Sequence, residues 1–299
     1  MAIAGAALVG LGALVLLFIV FQLWGTAIVQ SAHQSSLRAQ IEDQLPRAAA
    51  ADAARLETTP ERHAGGPASP APAGAAPAEG QPVAIIEIPK IDVDQVVIEG
   101  VAAPDLALGP GHYPGTPLPG QAGNAGIAGH RTTHGRPFYD LQALTPGDQV
   151  TLMTRQGIFV YSVTRSSVVD PTDVSVLDPS PVAELTLTTC NPRFSAAQRL
   201  VVQATLARSL LFPAVFPPAG RRPFVVGSSI GDDLLAGTGS GGAGWALLWG
   251  VATVLVAVGV VLAARRGRPV VVYAVGIPVV LVVLFVFFAA LDPLLPASL

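Results

Sequence analysis

The 299-residue sequence is short of charge: Asp, Glu, Lys and Arg make up 12% of it, about half of the ~25% usual in soluble domains. Lysine is nearly missing, with Lys90 alone against sixteen arginines, and cysteine occurs once, at Cys190. One cysteine excludes an intramolecular disulfide framework and any site built from several thiolates. A formal net charge of −3 excludes a bulk positive field of the kind that holds nucleic acid by counterion release. Apolar residues make up 51%, which excludes a conventional disordered chain, poor in apolar residues and rich in net charge. Length alone suggests two domains at roughly 150 residues each, but the missing charge has first to be located.

It is missing from three stretches. Ala2 to Ser31, Trp245 to Ala264 and Val270 to Leu291 contain no charged residue, and about 20 apolar residues cross the hydrocarbon core as a helix. The expected spans are residues 1–31, 245–264 and 270–291. Small residues at Ala27 and Ala32 would suit a signal-peptidase site, but the first apolar run exceeds a signal core and no Lys or Arg precedes it, which favours an uncleaved anchor. Arg265, Arg266 and Arg268 fall between the second and third spans. The positive-inside rule puts that turn and the N-terminus in the cytoplasm and residues 32–244 outside. Pro278 is tolerable in a membrane helix packed on neighbours.

Outside the spans, 32–82 reads as a juxtamembrane segment followed by a Pro/Ala/Gly-rich extended spacer, GGPASPAPAGAAPAEGQP, that cannot bury a core. A linker is expected over 209–244, ending in TGSGGAG. Between them, 83–208 is the one folded domain. β-branched or alternating runs at Ala84–Ile88, Val93–Ile98, Ala125–His130, Gln149–Thr154, Ile158–Arg165, Glu184–Thr189 and Leu200–Leu206 are parted by Gly, Pro and Asp turns. That pattern is all-β, a small barrel or sandwich.

Cys190 closes the apolar run ELTLTT and is followed by Asn191 and Pro192. The thiol therefore belongs at a strand end, held by a sheet and reachable from a loop. A buried, inert cysteine and a nucleophile are both open readings. A nucleophilic thiol needs a proton partner. His130 ends GNAGIAGH as Cys190 ends its own run, so the two could face each other; His134 and His112 are the alternatives. An oxyanion needs a positive group. Arg199 opens the strand after Cys190 and returns toward it if the strands pair, whereas Arg193 lies in the turn, where solvation is the default. Arginine suits the task by its permanent charge and fixed fork of donors.

Three segments together, IPKIDVDQVV at Ile88 to Val97, GPGHYPGTPLPGQAGNAGIAGHRTTHGRPFYDL at Gly109 to Leu141, and TLTTCNPRFSAAQRLVV at Thr186 to Val202, resemble the sortases, class E of actinobacteria in particular. The resemblance covers about Val83 to Ala207. It implies an eight-stranded β-barrel, here with one N-terminal and two C-terminal transmembrane helices, and a cysteine transpeptidase at the cell membrane. By the same resemblance Cys190 is the nucleophile, His130 the general acid/base and Arg199 the oxyanion and substrate-orienting group. Tyr113, Thr189 and the loop from Ser166 to Val182 would border the substrate. The family cleaves a C-terminal sorting signal, Leu-Ala-x-Thr-Gly or Leu-Pro-x-Thr-Gly, between Thr and Gly, and joins the thioacyl group to an amine of a peptidoglycan precursor. Implied partners are thus secreted proteins with that signal, the precursor and the membrane, with no nucleic acid, cofactor or metal; Asp170, Asp173 and Asp178 read as solubilising the loop. The C-terminal helical pair departs from the single anchor of many sortases, and Pro60 to Pro82 lacks the Asp-Pro-aromatic lid of pilus-building members. A Cys-dependent hydrolase or wall-remodelling enzyme, and a non-catalytic membrane-tethered barrel, are the rival readings.

Overall fold

The structure, a computed structural model, describes residues 12–45, 52, 68–212, 242–266 and 269–291. These fall into two compact units, one of residues 12–25 with the two C-terminal helices and one of residues 26–212.

The second unit is a closed barrel of eight strands: β1 Pro82–Ile88, β2 Val93–Glu99, β3 Gly111–His112, β4 Gly123–Ala128, β5 Gln149–Thr154, β6 Gly157–Val169, β7 Ala183–Asn191 and β8 Gln198–Leu211. Around the barrel they run β1-β2-β3-β4-β7-β8-β6-β5, with β2–β3 and β4–β7 parallel and the other pairs antiparallel. Every run expected from the sequence forms a strand. The two-residue β3 was not among them, being too short to carry a period. Side chains alternate across a strand, and one parity fills the interior: Ala84, Ile86 and Ile88 of β1, Phe159, Tyr161 and Val163 of β6, Leu185 and Leu187 of β7, Val202 and Ala204 of β8. The buried Tyr161 hydroxyl accepts the Gly120 N–H at 2.7 Å, and burial raises its pKa well above the phenol range.

Helix α1 spans Gly12–Glu42 and passes through a π-helical turn at Phe21–Gly25. Its second half, Thr26–Glu42, continues the helix past residue 31, the expected end of the span, and packs on the barrel. Leu37 and Ile41 are buried against Ile85, Val96, Ile98, Met153 and Ile158, the outward parity of β1, β2, β5 and β6. Here consecutive apolar residues such as Ile85 and Ile86 have a reason, because this part of the wall is covered on both faces. Polar bonds fix the register of helix on barrel. The Gln34 amide donates to the Val96 and Leu108 carbonyls at 3.0 and 2.9 Å and accepts the Val96 N–H at 2.7 Å. Arg38 also pairs with Asp94.

The Pro/Ala/Gly-rich segment departs from expectation as well. Residues 68–81 track the barrel instead of serving as a free spacer: Ala71 is buried, bridges to Gln121 and donates its N–H to the Gly120 carbonyl at 2.7 Å. Ser69 exchanges bonds with Ser209, and the Gln156 amide donates to the Pro72 carbonyl. A segment too poor in side chains to form its own core still satisfies its backbone on a neighbour. The rest of the expected spacer, residues 60–67, and residues 213–241 of the expected linker lie outside the described residues.

A short helix, α2, spans Ala103–Leu108 in the barrel unit; in the first unit, α3 spans Gly242–Arg266 and α4 spans Pro269–Leu291, with Pro278 inside α4. Among the described residues, three helices are long and apolar enough to cross a membrane: Gly12–Glu42, Gly244–Arg266 and Val270–Leu291. Gly276 lets α3 approach closely, since a Cβ there would lie 2.5 Å from Val260 Cγ1, as small residues do at membrane-helix crossings. Phe18, Phe21, Phe285 and Phe288 form an aromatic cluster with edge contacts of 5.1 and 5.2 Å.

Candidate active site

The site follows from register. In β7 the inward parity is Leu185 and Leu187, so Thr186, Thr188 and Cys190 face outward. In β4 the inward residues are Ala125 and Ile127, which leaves Asn124, Gly126 and Ala128 outward. The parallel β4–β7 pair aligns Ala128 with Thr188, so His130, two residues on, stands level with Cys190. The Gly129 N–H, bonded to the Thr188 carbonyl at 3.1 Å, carries the ladder past the end of β4. On the other side of β7, Cys190 pairs directly with Arg199 of β8, and directly paired residues point to the same face. One outward row therefore holds the thiol and the guanidinium, and the end of β4 that leads to His130 lies beside it. Cys190 is a free, half-buried thiol. Arg199 is half-buried, its Nη1 donating to the Ala196 and Gln198 carbonyls at 3.2 Å each.

The other two histidines separate. His134 stacks on His130 with ring centroids 4.7 Å apart, and sits at φ 48° in a loop beside Gly135 at φ 65°. A Cβ at Gly135 would fall 1.6 Å from Oε1 at the end of the Gln30 side chain of α1, so a larger residue would displace that amide, and the His134 N–H donates to the Thr26 hydroxyl at 3.1 Å. His112 is fully buried in the wall, 2.8 Å from Glu99 through Nδ1 and 3.0 Å from Thr116 and the Pro117 carbonyl through Nε2.

Tyr113 and the β6–β7 loop lie against the outward face. The Tyr113 hydroxyl is 3.0 Å from that of Thr188. Gly126 makes room below: a Cβ there would meet Tyr113 Cδ2 at 2.8 Å and Leu177 Cδ2 at 2.7 Å. The loop's 3-10 turn at Ser175–Leu177 is pinned where Asn124 Nδ2 donates to the Val176 and Asp178 carbonyls at 3.0 and 3.2 Å, with the Thr186 hydroxyl donating to Asn124 Oδ1 at 2.7 Å. Thr189 has the opposite parity. It is buried and its hydroxyl donates to the Gly129 carbonyl at 2.7 Å, which ties β7 to the His130 strand end. No three His, Cys, Asp or Glu side chains among the described residues gather as a metal site. Asp170 and Asp173 turn their Oδ1 atoms to Thr172 and Ser175, and the Thr172 bonds hold the Asp170 carboxyl below its usual range.

Sequence reasoning left one group of contacts unseen. Arg131, next to His130, is buried, and its guanidinium donates to the Cys190 carbonyl at 2.9 Å, Asn191 Oδ1 at 2.7 Å and Gln142 Oε1 at 2.8 Å. Arg193, expected to be solvated, stacks on Tyr139 at 4.0 Å and pairs with Asp140 at 2.7 Å. Arg136 covers Tyr139 at 5.0 Å. The only signal was the packing of His, Arg, Tyr and Asp into HRTTHGRPFYDL.

Residues 86–207 match the Sortase domain. The chain is 34% identical over 207 residues to sortase SrtE1 of Streptomyces coelicolor, covering 64% of this chain and 53% of that protein. It is 38% identical over 109 residues to sortase D of Bacillus subtilis, covering 36% and 54%. The chain thus spans about half the length of these curated relatives. The crystal structure of sortase E1 from S. coelicolor with a tripeptide in its active site is 35% identical, with a TM-score of 0.43 over 49% of this chain and 99% of that one.

Proposed function

We propose that this chain is a membrane-anchored cysteine transpeptidase that cleaves a C-terminal sorting signal of the Leu-Ala-x-Thr-Gly or Leu-Pro-x-Thr-Gly type. The observation that carries the reading is the direct pairing of Cys190 with Arg199, beside the parallel β4–β7 register that leads to His130 two residues past the end of β4.

A free thiol with a pKa near 8.5 is mostly protonated at neutral pH, and an adjacent imidazolium favours the thiolate. The Cys190 thiolate attacks the Thr carbonyl carbon of the signal, and the carbonyl π electrons move onto oxygen, where the Arg199 guanidinium offsets the new charge. Collapse restores the carbonyl, breaks the Thr–Gly bond and expels the Gly nitrogen, which takes a proton from His130. The product is a thioester on Sγ. An amine of a peptidoglycan precursor then gives a proton to the neutral His130 as its nitrogen attacks the same carbon, and the thiolate leaves. The peptide would lie along the outward face of β4 and β7, between Tyr113 and the loop around Leu177.

The arginines between α3 and α4 put that turn in the cytoplasm and the barrel outside, where both the secreted protein and the precursor are found. The test uses the full chain in detergent micelles with a quenched Leu-Ala-x-Thr-Gly peptide, with and without an amine acceptor. Cleavage with ligation is expected. Cleavage alone would make it a hydrolase, and no product in either arm would sink both enzyme readings. Cys190→Ala abolishes thioester formation and His134→Ala retains most turnover; equal loss in the two would overturn the assignment of the base.

A further inference from the structure

We propose that Arg131 is a positioning residue of the Cys190 site: its guanidinium ties the His130 loop to the strand end that carries the thiol and supplies a fixed positive charge that favours the thiolate. This deepens the reading of Cys190 as nucleophile and rests on it.

Arg131 differs from the other arginines nearby. Arg193 and Arg199 are half-buried and Arg136 is exposed, whereas Arg131 is 6% exposed. Its three acceptors, the Cys190 carbonyl, Asn191 Oδ1 and Gln142 Oε1, come from the end of β7 and from the segment after the His130 loop. A planar fork of donors can bridge such separate acceptors at fixed angles; an ammonium cannot. Since Arg131 follows His130 in the chain and grips the carbonyl of Cys190, a shift of either catalytic group relative to the other stretches this one link. The link is doubled on the far side of the turn, where Arg193 stacks on Tyr139 and pairs with Asp140.

All three acceptors of Arg131 are neutral. Among the described residues it forms no ion pair, and the nearby carboxylate, Asp140, is engaged by Arg193. A buried cation without an anion is costly, so the surroundings favour any neighbour that can become an anion. Cys190, whose carbonyl the guanidinium holds, is such a neighbour. The groups around it otherwise are Arg199 across β8, His130 alongside β4 with His134 stacked on it, and the Arg193–Asp140 pair with Tyr139 beyond the turn. Positive charge outnumbers negative there until the thiol ionises. Burial lowers the Arg131 pKa and the Arg193 charge acts the same way, while the negative forms of Cys190 and Asp140 oppose them.

Because Cys190 is the chain's one thiol, the pH dependence of alkylation by iodoacetamide reports on it alone. In full-length protein in micelles, Arg131→Gln is expected to raise the alkylation midpoint by about half a pH unit or more. It should also lower kcat on the peptide at least ~10-fold, with KM within about twofold. Arg131→Lys retains the charge without the fork, so its midpoint stays near that of the parent while kcat falls. Gln142→Glu retains the fork but gives the guanidinium an anion, and raises the midpoint. That variant decides the question if Arg131→Gln does not melt cooperatively. Midpoints equal to the parent's in the folded variants among Arg131→Gln and Gln142→Glu would overturn the charge role, and an unchanged kcat in Arg131→Lys would overturn the positioning role. A parent chain that cleaves no peptide would instead remove the transpeptidase reading and leave the alkylation result standing.

Discussion

The barrel has two outer faces of opposite character. Over β1, β2, β5 and the start of β6 the outward side chains are Ile85, Val96, Ile98, Met153 and Ile158, and the second half of α1 covers them with Leu37 and Ile41. Over β4, β7 and β8 the outward row is Asn124, Gly126, Ala128, Thr186, Thr188, Cys190 and Arg199, with Tyr113 and a loop at its borders. An apolar outer wall needs a permanent cover. A wall of small and polar residues does not, and can close over a ligand instead. The two faces share one set of strands and one interior, so the difference lies wholly in which residue types occupy the outward parity.

That contrast can be broken from either side. The largest effect belongs to the open face: His130→Ala or Arg199→Ala should lower peptide turnover by about 10² to 10⁴. The melting temperature should move by less than about 2 °C, as for substitutions outside the core. Next comes the covered face, where Ile41→Ala should cost about 2–5 kcal/mol. Thermal melting would read this as a drop of about 5–15 °C, with KM for the peptide unchanged at 25 °C; an unmoved melting point would mean that α1 is no part of the folded unit. A smaller effect sharpens the map of the open face. Gly126→Ala pushes a methyl into Tyr113 and Leu177 and should raise KM by about tenfold, leaving the alkylation rate of Cys190 unchanged.

The smallest effect lies on neither face and serves as a control. Burial raises the Asp148 carboxyl, but the Lys90 ammonium at 2.6 Å and the Thr145 N–H and hydroxyl outweigh it, and its pKa is lowered. A carboxyl lowered in the fold adds stability above its unfolded pKa and loses it as pH falls through the folded value. Asp148→Asn should therefore lower the melting temperature by about 1–2 °C at pH 7 and leave it unchanged at pH 2, with turnover intact throughout.

Much of this was legible in the sequence, for stated reasons. Cys190, His130 and Arg199 each terminate or open an alternating run, and a period of two fixes which side of a wall they face. Thr189 follows the same rule: one residue from Cys190 in sequence, it has the opposite parity and bonds the Gly129 carbonyl. The role of α1 was hidden because Thr26–Glu42 has almost no apolar bias. Its docking depends on two apolar residues and on glutamines whose partners lie some sixty positions away. The docking of residues 68–81 was hidden because it rests on backbone bonds and single side-chain contacts, which composition does not report. Arg131 was missed since a cation beside a candidate base reads as one more solvated charge until its acceptors are seen.

The parallel pairing of β4 with β7 has a consequence in time. Parallel neighbours cannot be joined by a tight turn, and here the intervening chain, about sixty residues, runs through β5 and β6 before β7 returns. Contacts of such sequence separation form late, after the entropy of closing the long loop has been met. On the proposed reading, Cys190 therefore meets its neighbours from β4 and β8 only when the barrel shuts, and a misfolded copy would carry a thiol without them.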